Sequence, residues 1–121
     1  MATPVSWKEK LKPMDGQRWP IRCGLALSTH AVERLREGLW PQDMDDRWAV
    51  WLDEDVLRAW RSWTGMCVYE GQVVLADNGS AVVTVVDVLD EPDSYVRAQT
   101  ESAELERFEG VVGLALSHQV A

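Results

Sequence analysis

Hydrophobic and polar positions change their period several times along this chain of 121 residues. Residues 1–20 have no period. Pro4, Pro13, Gly16 and Pro20 punctuate them, so they read as an irregular arm that Trp7 and Trp19 pin to the body. Ile21 to Leu27 reads as a short strand that Gly24 weakens. Beyond Thr29, an N-cap residue type, Val32, Leu35 and Leu39 recur at helical spacing. The pattern predicts a helix over 29–38, closed at Gly38 and stopped by Pro41.

Arg47 to Asp53 alternates weakly and is rich in aromatic and β-branched residues, which predicts a strand ending in the acidic turn Asp53-Glu54-Asp55. Val56 to Trp63 fits two readings. One is a helix capped by Asp53, with Leu57, Trp60 and Trp63 or Ala59 on one face; the other is the second arm of a hairpin. Thr64-Gly65 reads as a turn or bulge, and Asp77-Asn78-Gly79 as a hairpin turn. The valine-rich run Ala81 to Leu89 predicts a strand buried on both faces. Last comes a helix over 102–118, capped by Ser102, that would set Leu105, Phe108, Val112 and Leu116 on the sheet. Gly110 and Gly113 cost it about 1 kcal/mol each, a sacrifice consistent with close approach to the sheet. The expectation is one α+β domain: a mostly antiparallel sheet over 47–89, with a short N-terminal helix and a C-terminal helix packed on it.

Charge narrows the function. Twenty acidic residues against twelve lysines and arginines leave a net charge of -8. Nucleic acid and anionic membrane are poor partners for such a surface, whereas a basic protein would be attracted. Neither a secretory leader nor a transmembrane run is visible, so a cytoplasmic location is expected. Cys23 and Cys67 are the two cysteines and read as buried thiols, though spacing alone leaves their pairing open. A zinc site from Cys23, Cys67, His30 and His118 would lack any local ligand pair, and no metal or cofactor is expected. Phosphate-binding glycine loops, nucleophile elbows and paired catalytic acids are missing too.

Five of the seven tryptophans fall between Trp40 and Trp63. Within that stretch, Asp46-Arg47-Trp48 and Arg61-Ser62-Trp63-Thr64-Gly65-Met66-Cys67-Val68-Tyr69 resemble the signature of a family of small uncharacterised bacterial proteins and appended domains: an Arg-Trp strand, an acidic turn, then an Arg-Ser-Trp-Thr-Gly-x-Cys-hydrophobic-aromatic strand. The resemblance implies a hairpin at Asp53 to Asp55 and so favours a strand for Val56 to Trp63, although Arg58 and Ala59 depart from the aromatic second arm it leads one to expect. Such domains sometimes accompany ADP-ribose-related proteins, and no assigned activity comes with the resemblance.

Two uses of this segment follow. In the first, an exposed tryptophan pair forms an interaction centre, since Trp and Arg dominate such centres. Trp51, Trp63, Arg47 and Arg61, with Asp53 and Asp55 for attraction, would then meet a basic protein, as in an immunity protein, antitoxin or counter-defence factor. Self-association through the same tryptophans is a variant. In the second, Arg61, Ser62, Trp63 and Thr64 hold a nucleotide or ADP-ribose, through guanidinium fork, hydroxyl donors and stacking indole. The simpler alternative is packing, with Arg61 tied to an acidic loop and Trp63 in the core. Likewise, Asp43, Asp45, Asp46, Asp53, Glu54 and Asp55 need be no more than a solvated loop and turn. A non-enzymatic binding protein is the expectation.

Overall fold

The computed structural model describes residues 11–41 and 46–117. In chain order its elements are β1 (Arg18–Leu27), α1 (Thr29–Glu37), β2 (Trp48–Asp53), β3 (Val56–Arg61), β4 (Cys67–Leu75), β5 (Ala81–Leu89) and α2 (Glu101–Ser117). The strands form one antiparallel sheet in the order β1-β5-β4-β3-β2. Thus β2 to β5 are a meander, and β1 joins beside the last strand. The α+β class expected from the chain is the class found. Val56–Arg61 is the second arm of a hairpin, not a helix. Trp7, Asp43, Asp45 and His118 lie outside the described residues.

Helix caps differ from the sequence expectation by one residue in α1 and two in α2. Ser28, not Thr29, caps α1, its hydroxyl accepting the Ala31 N–H at 3.1 Å. The Thr29 hydroxyl instead donates to the Asn78 carbonyl at 3.1 Å, tying the helix start to the β4–β5 turn. Both residues are good caps, and only tertiary contact chooses between them. Gly38 closes α1 at φ 87°, its N–H on the Arg34 carbonyl at 3.0 Å. A Cβ there would lie 2.7 Å from the Trp40 ring, so only glycine fits. Thr100, rather than Ser102, caps α2, accepting the Ala103 N–H at 3.2 Å.

Helix α1 touches both β2 and β1, the two edges of the sheet, so the sheet curls around it. Helix α2 packs beside α1 on the same side. This face carries the main core: Ile21, Leu52, Leu57, Val83, Val86 and Phe108 are all buried. From α2 the core takes Glu104, Phe108, Val111, Val112 and Ala115, while Leu105 and Leu116 are only half-buried. Gly110 and Gly113 do not bring α2 closer to the sheet, since a Cβ on either meets nothing within 4 Å. Close approach occurs at Gly71, where a Cβ would lie 3.0 Å from Val83 and 3.6 Å from the Phe108 ring.

Among the described residues the second face is covered at one end only. There the segment from Leu11 to Met14 crosses it, with the Trp60 indole donating to the Lys12 carbonyl at 2.8 Å and the Lys12 N–H to the Gly65 carbonyl at 3.1 Å. No other described segment crosses it, and β5 is not buried on both sides: Val82 is exposed and Val85 only half-buried. A valine run reads as doubly buried because sequence does not say which face is covered.

A row of charges crosses the open face. Asp87, Glu70 and Arg58 are register neighbours on β5, β4 and β3. Two carboxylates side by side repel, and Arg18 lies between them, at 2.5 Å from Glu70 and 3.1 Å from Asp87. Arg58 bonds the other Glu70 oxygen at 3.1 Å. Burial works to raise the Glu70 pKa, and the hydrogen bonds from Arg18 and Arg58 outweigh it, so the carboxyl titrates below its ordinary range. A lowered folded pKa stabilises above the unfolded value and is lost as pH falls through the folded one. The stability gap between the protein and Glu70→Gln should therefore be level near neutrality and shrink below about pH 4.3. Urea unfolding across that range measures it, and a pH-independent gap would contradict this account.

The β2–β3 turn holds the only non-glycine residue at positive φ among the described residues, Glu54 at 56°. Left-handed backbone costs an L-residue roughly 1–2 kcal/mol, part of which glycine returns as chain entropy. Glu54→Gly should raise stability by about 0.5–1 kcal/mol in a denaturant melt.

Candidate functional site

Antiparallel pairing gives the sheet two distinct ends. At one lie the β2–β3 turn and the β4–β5 turn; at the other lie the β3–β4 turn, the start of β1 and the end of β5. The candidate site is at the second end, where the loop 90–100 descends from β5 to α2.

Trp48 and Arg61 face each other across the β2–β3 pair, on the helix-covered side. The Trp48 ring stacks on Tyr69 with centroids 5.8 Å apart. The Arg61 guanidinium lies over Trp48 at 4.6 Å and near Tyr95 at 5.7 Å. It is thus held by two ring faces, not by a carboxylate. Among the described residues no acidic group lies within salt-bridge distance of Arg61 or Arg47. In a chain with twenty acidic residues this is notable, because guanidiniums commonly find such partners.

These two arginines line two adjoining recesses. The first, about 590 Å³, also takes in Trp48, Tyr95, Arg107 and Leu114; the second, about 410 Å³, takes in Trp63, Thr64, Met66 and Ser94. A third, about 520 Å³, continues past Thr64 and Ser94 to Lys12. The three share lining residues and make one open groove, with Arg47, Arg61 and Arg107 toward one end and Lys12 beside Asp15 at the other. Trp63 stands on its rim, 70% exposed. The turn that carries it runs through Ser62, whose N–H bonds the Arg47 carbonyl at 2.9 Å and whose hydroxyl bonds the Asp46 carbonyl at 2.7 Å. Gly65 at φ 71° reverses the chain there, and the Met66 N–H bonds the Thr64 hydroxyl at 3.2 Å.

The groove wall is braced by a buried carboxylate. Glu104, fully buried at the start of α2, accepts the Tyr69 hydroxyl at 2.5 Å, the Tyr95 hydroxyl at 2.7 Å and the Ala98 N–H at 2.6 Å. Arg107 adds bonds to the Val96 carbonyl at 3.0 Å and the Tyr95 hydroxyl at 3.4 Å. On the far side Arg97 lies over the Trp19 ring at 4.0 Å and bonds Asp90 at 2.8 Å. Burial, then the bond to Glu104, lifts the Tyr69 phenol far above its usual range, and burial lifts Tyr95 too. Both rings are neutral hydroxyl donors that line the recess, not bases.

The sequence-selected residues separate into two groups. Arg47, Arg61, Trp63 and Thr64 gather at the groove. Trp51, Asp53 and Asp55 do not. Trp51 lies at the margin of β2 on the opposite face from Trp48, its indole donating to the Arg36 carbonyl at 3.1 Å and its ring 5.9 Å from Trp40. Asp53 and Asp55 are at the other end of β2, about 20 Å from Asp46 at the rise of an extended strand. The acidic residues are thus not one cluster. Sequence reading missed Trp48, Tyr95, Ser94, Arg107 and Glu104 as parts of the site. Only the Arg-Trp pair at 47–48 carried a hint, because the loop 90–100 and α2 reach the groove through folding alone.

Other candidate chemistry is structural. Cys23 and Cys67 are free thiols; Cys67 is buried, and desolvation pushes its pKa up to about 12. Among the described residues no group of three or more His, Cys, Asp or Glu side chains is placed to hold a metal ion, and no helix is long and apolar enough to cross a membrane. No protein-family model, curated protein or solved structure matches this chain.

Proposed function

We propose that this protein is a non-catalytic binding module whose groove takes an anionic ligand with a flat ring, of the nucleotide or ADP-ribose class. The observation that carries the reading is the pair Arg47 and Arg61, without acidic partners among the described residues, lining one groove with the exposed Trp63, Arg61 being set against the rings of Trp48 and Tyr95. A guanidinium held by stacking keeps its N–H fork for a phosphate, and an exposed indole offers a stacking face for a base. Ser94 and Thr64 add hydroxyls. Among the described residues neither hydroxyl bonds a carboxylate or imidazole, which favours binding over nucleophilic catalysis. Capture of a basic protein, which the net charge of -8 also suggests, would draw on other surfaces, because Asp53 and Asp55 lie away from the groove.

Titration with ADP-ribose, NAD and ADP, followed by tryptophan fluorescence, tests the reading. A saturable change that Trp63→Phe removes is expected. An unchanged spectrum at millimolar ligand, with no shift in melting temperature, would overturn it.

A further inference from the structure

The face of the sheet opposite the helices carries a second surface, independent of the groove and at the other end of the strands. Val74 and Val82 are register partners on β4 and β5, exposed by 60% and 40%. Next to them in the sheet lie Val56 and Val85, both half-buried and joined through Gln72 in one row. Single exposed valines are ordinary; Val74, Val82 and Val85 adjoin on β4 and β5 as an apolar patch, with Val56 beyond Gln72 on β3.

Acidic residues border it. The β2–β3 turn contributes Asp53, Glu54 and Asp55, and the β4–β5 turn contributes Asp77. The Asp55 carbonyl accepts the Val73 N–H at 2.9 Å, which brings this turn against the strand that carries Val74. The nearest cations on this face are Arg58, engaged by Glu70 at 3.1 Å and 3.9 Å from Asp53, and Arg22, exposed on the neighbouring strand β1 as the register partner of Val85. The acidic border therefore lies on the two turns, and Arg22 closes the β1 side.

We propose that this apolar patch with its acidic border is a docking surface for a cationic protein segment that presents short aliphatic side chains. Charge selects the occupant. A second copy laid face to face with its strands parallel would set acidic turns against acidic turns. An anionic lipid surface would be repelled in the same way. Lysines or arginines at the border would meet Asp53, Asp55 and Asp77, while aliphatic side chains cover Val74 and Val82. Complementarity of this kind raises the association rate and fixes orientation.

The probe is a capped peptide of alternating lysine and valine, about eight residues long, a common strand length. It is titrated into the ¹⁵N-labelled full chain, with a glutamate–valine peptide as control. Saturable amide shifts centred on Val56, Gln72, Val74, Val82 and the turn 53–55 are expected. Affinity should fall roughly ten-fold between about 50 and 500 mM salt. Val82→Lys, an exposed substitution that leaves the core untouched, should weaken the peptide about ten-fold and leave the groove's response to ADP-ribose as it was. Equal binding of both peptides, shifts centred on Arg61 and Trp63, or no saturation would overturn the proposal. So would a dimer in sedimentation that Val82→Lys dissociates, since a second copy would then be the occupant.

Discussion

Glu104→Ala should cost about 3–5 kcal/mol, enough to remove much of the stability of a domain this size. The reason is the number of groups left behind. Glu104 is fully buried and satisfies two phenols and one backbone N–H, from β4, from the loop 90–100 and from that loop's last turn before α2. With alanine, the Tyr69 and Tyr95 hydroxyls keep each other at 3.0 Å, but the second hydroxyl hydrogen and the Ala98 N–H lose their acceptor. An unmade buried bond costs more than a made one contributes. Glu104→Gln retains the shape and one acceptor oxygen and should lose about half as much. Chemical denaturation of both variants measures the pair. A loss below about 1 kcal/mol for alanine would mean that water enters and satisfies the donors.

Arg61→Ala should weaken the proposed nucleotide-class ligand by about 10- to 100-fold, the scale of one or two hydrogen bonds to a charged group. The side chain is half-buried at the end of β3, and its main-chain bonds to Met66 and Gly65 do not involve the guanidinium. The fold should therefore survive. Arg61→Lys separates two contributions. Lysine keeps the charge but loses the planar fork and the stacking on Trp48, so most of the affinity should be lost despite an unchanged net charge. If lysine binds as well as arginine, the site is a simple electrostatic field and the ring stack is incidental. Calorimetric titration with ADP-ribose distinguishes these outcomes, and a thermal melt of each variant confirms folding.

Much of the sheet was legible because its signals are local. Asp77-Asn78-Gly79 needs no distant contact to reverse the chain, and Gly79 does so at φ 91°. Val32 and Leu35 lie at helical spacing and are buried in α1. Trp48 and Trp51, three residues apart in a strand, had to point to opposite faces, and they do. Arg61 and Trp63 meet at the groove for another reason, since β3 ends at Arg61 and a turn carries Trp63 there.

What escaped depended on coverage. Period shows which residues alternate but not which side a helix or arm will cover. The Ala81–Leu89 run was therefore read as doubly buried, while α1 and α2 cover one face and the segment 11–14 only part of the other. Gly110 and Gly113 looked like contact glycines on the same grounds and are exposed. Arg58 stood out as foreign to an aromatic strand, and Glu70 explains it.

The amino-acid sequence by itself determined most of the alternation of extended and helical segments and the turns, because each follows from residues within a few positions of one another; strand pairing, not local pattern, decided that Val56–Arg61 is a hairpin arm. Only tertiary structure decided that a fully buried carboxylate ties two tyrosines together, and that Arg61 lies between Trp48 and Tyr95. It alone also set the acidic turns at the opposite end from the groove. Those partners are brought together by strand register and helix packing, and neither is written in any short stretch of the chain.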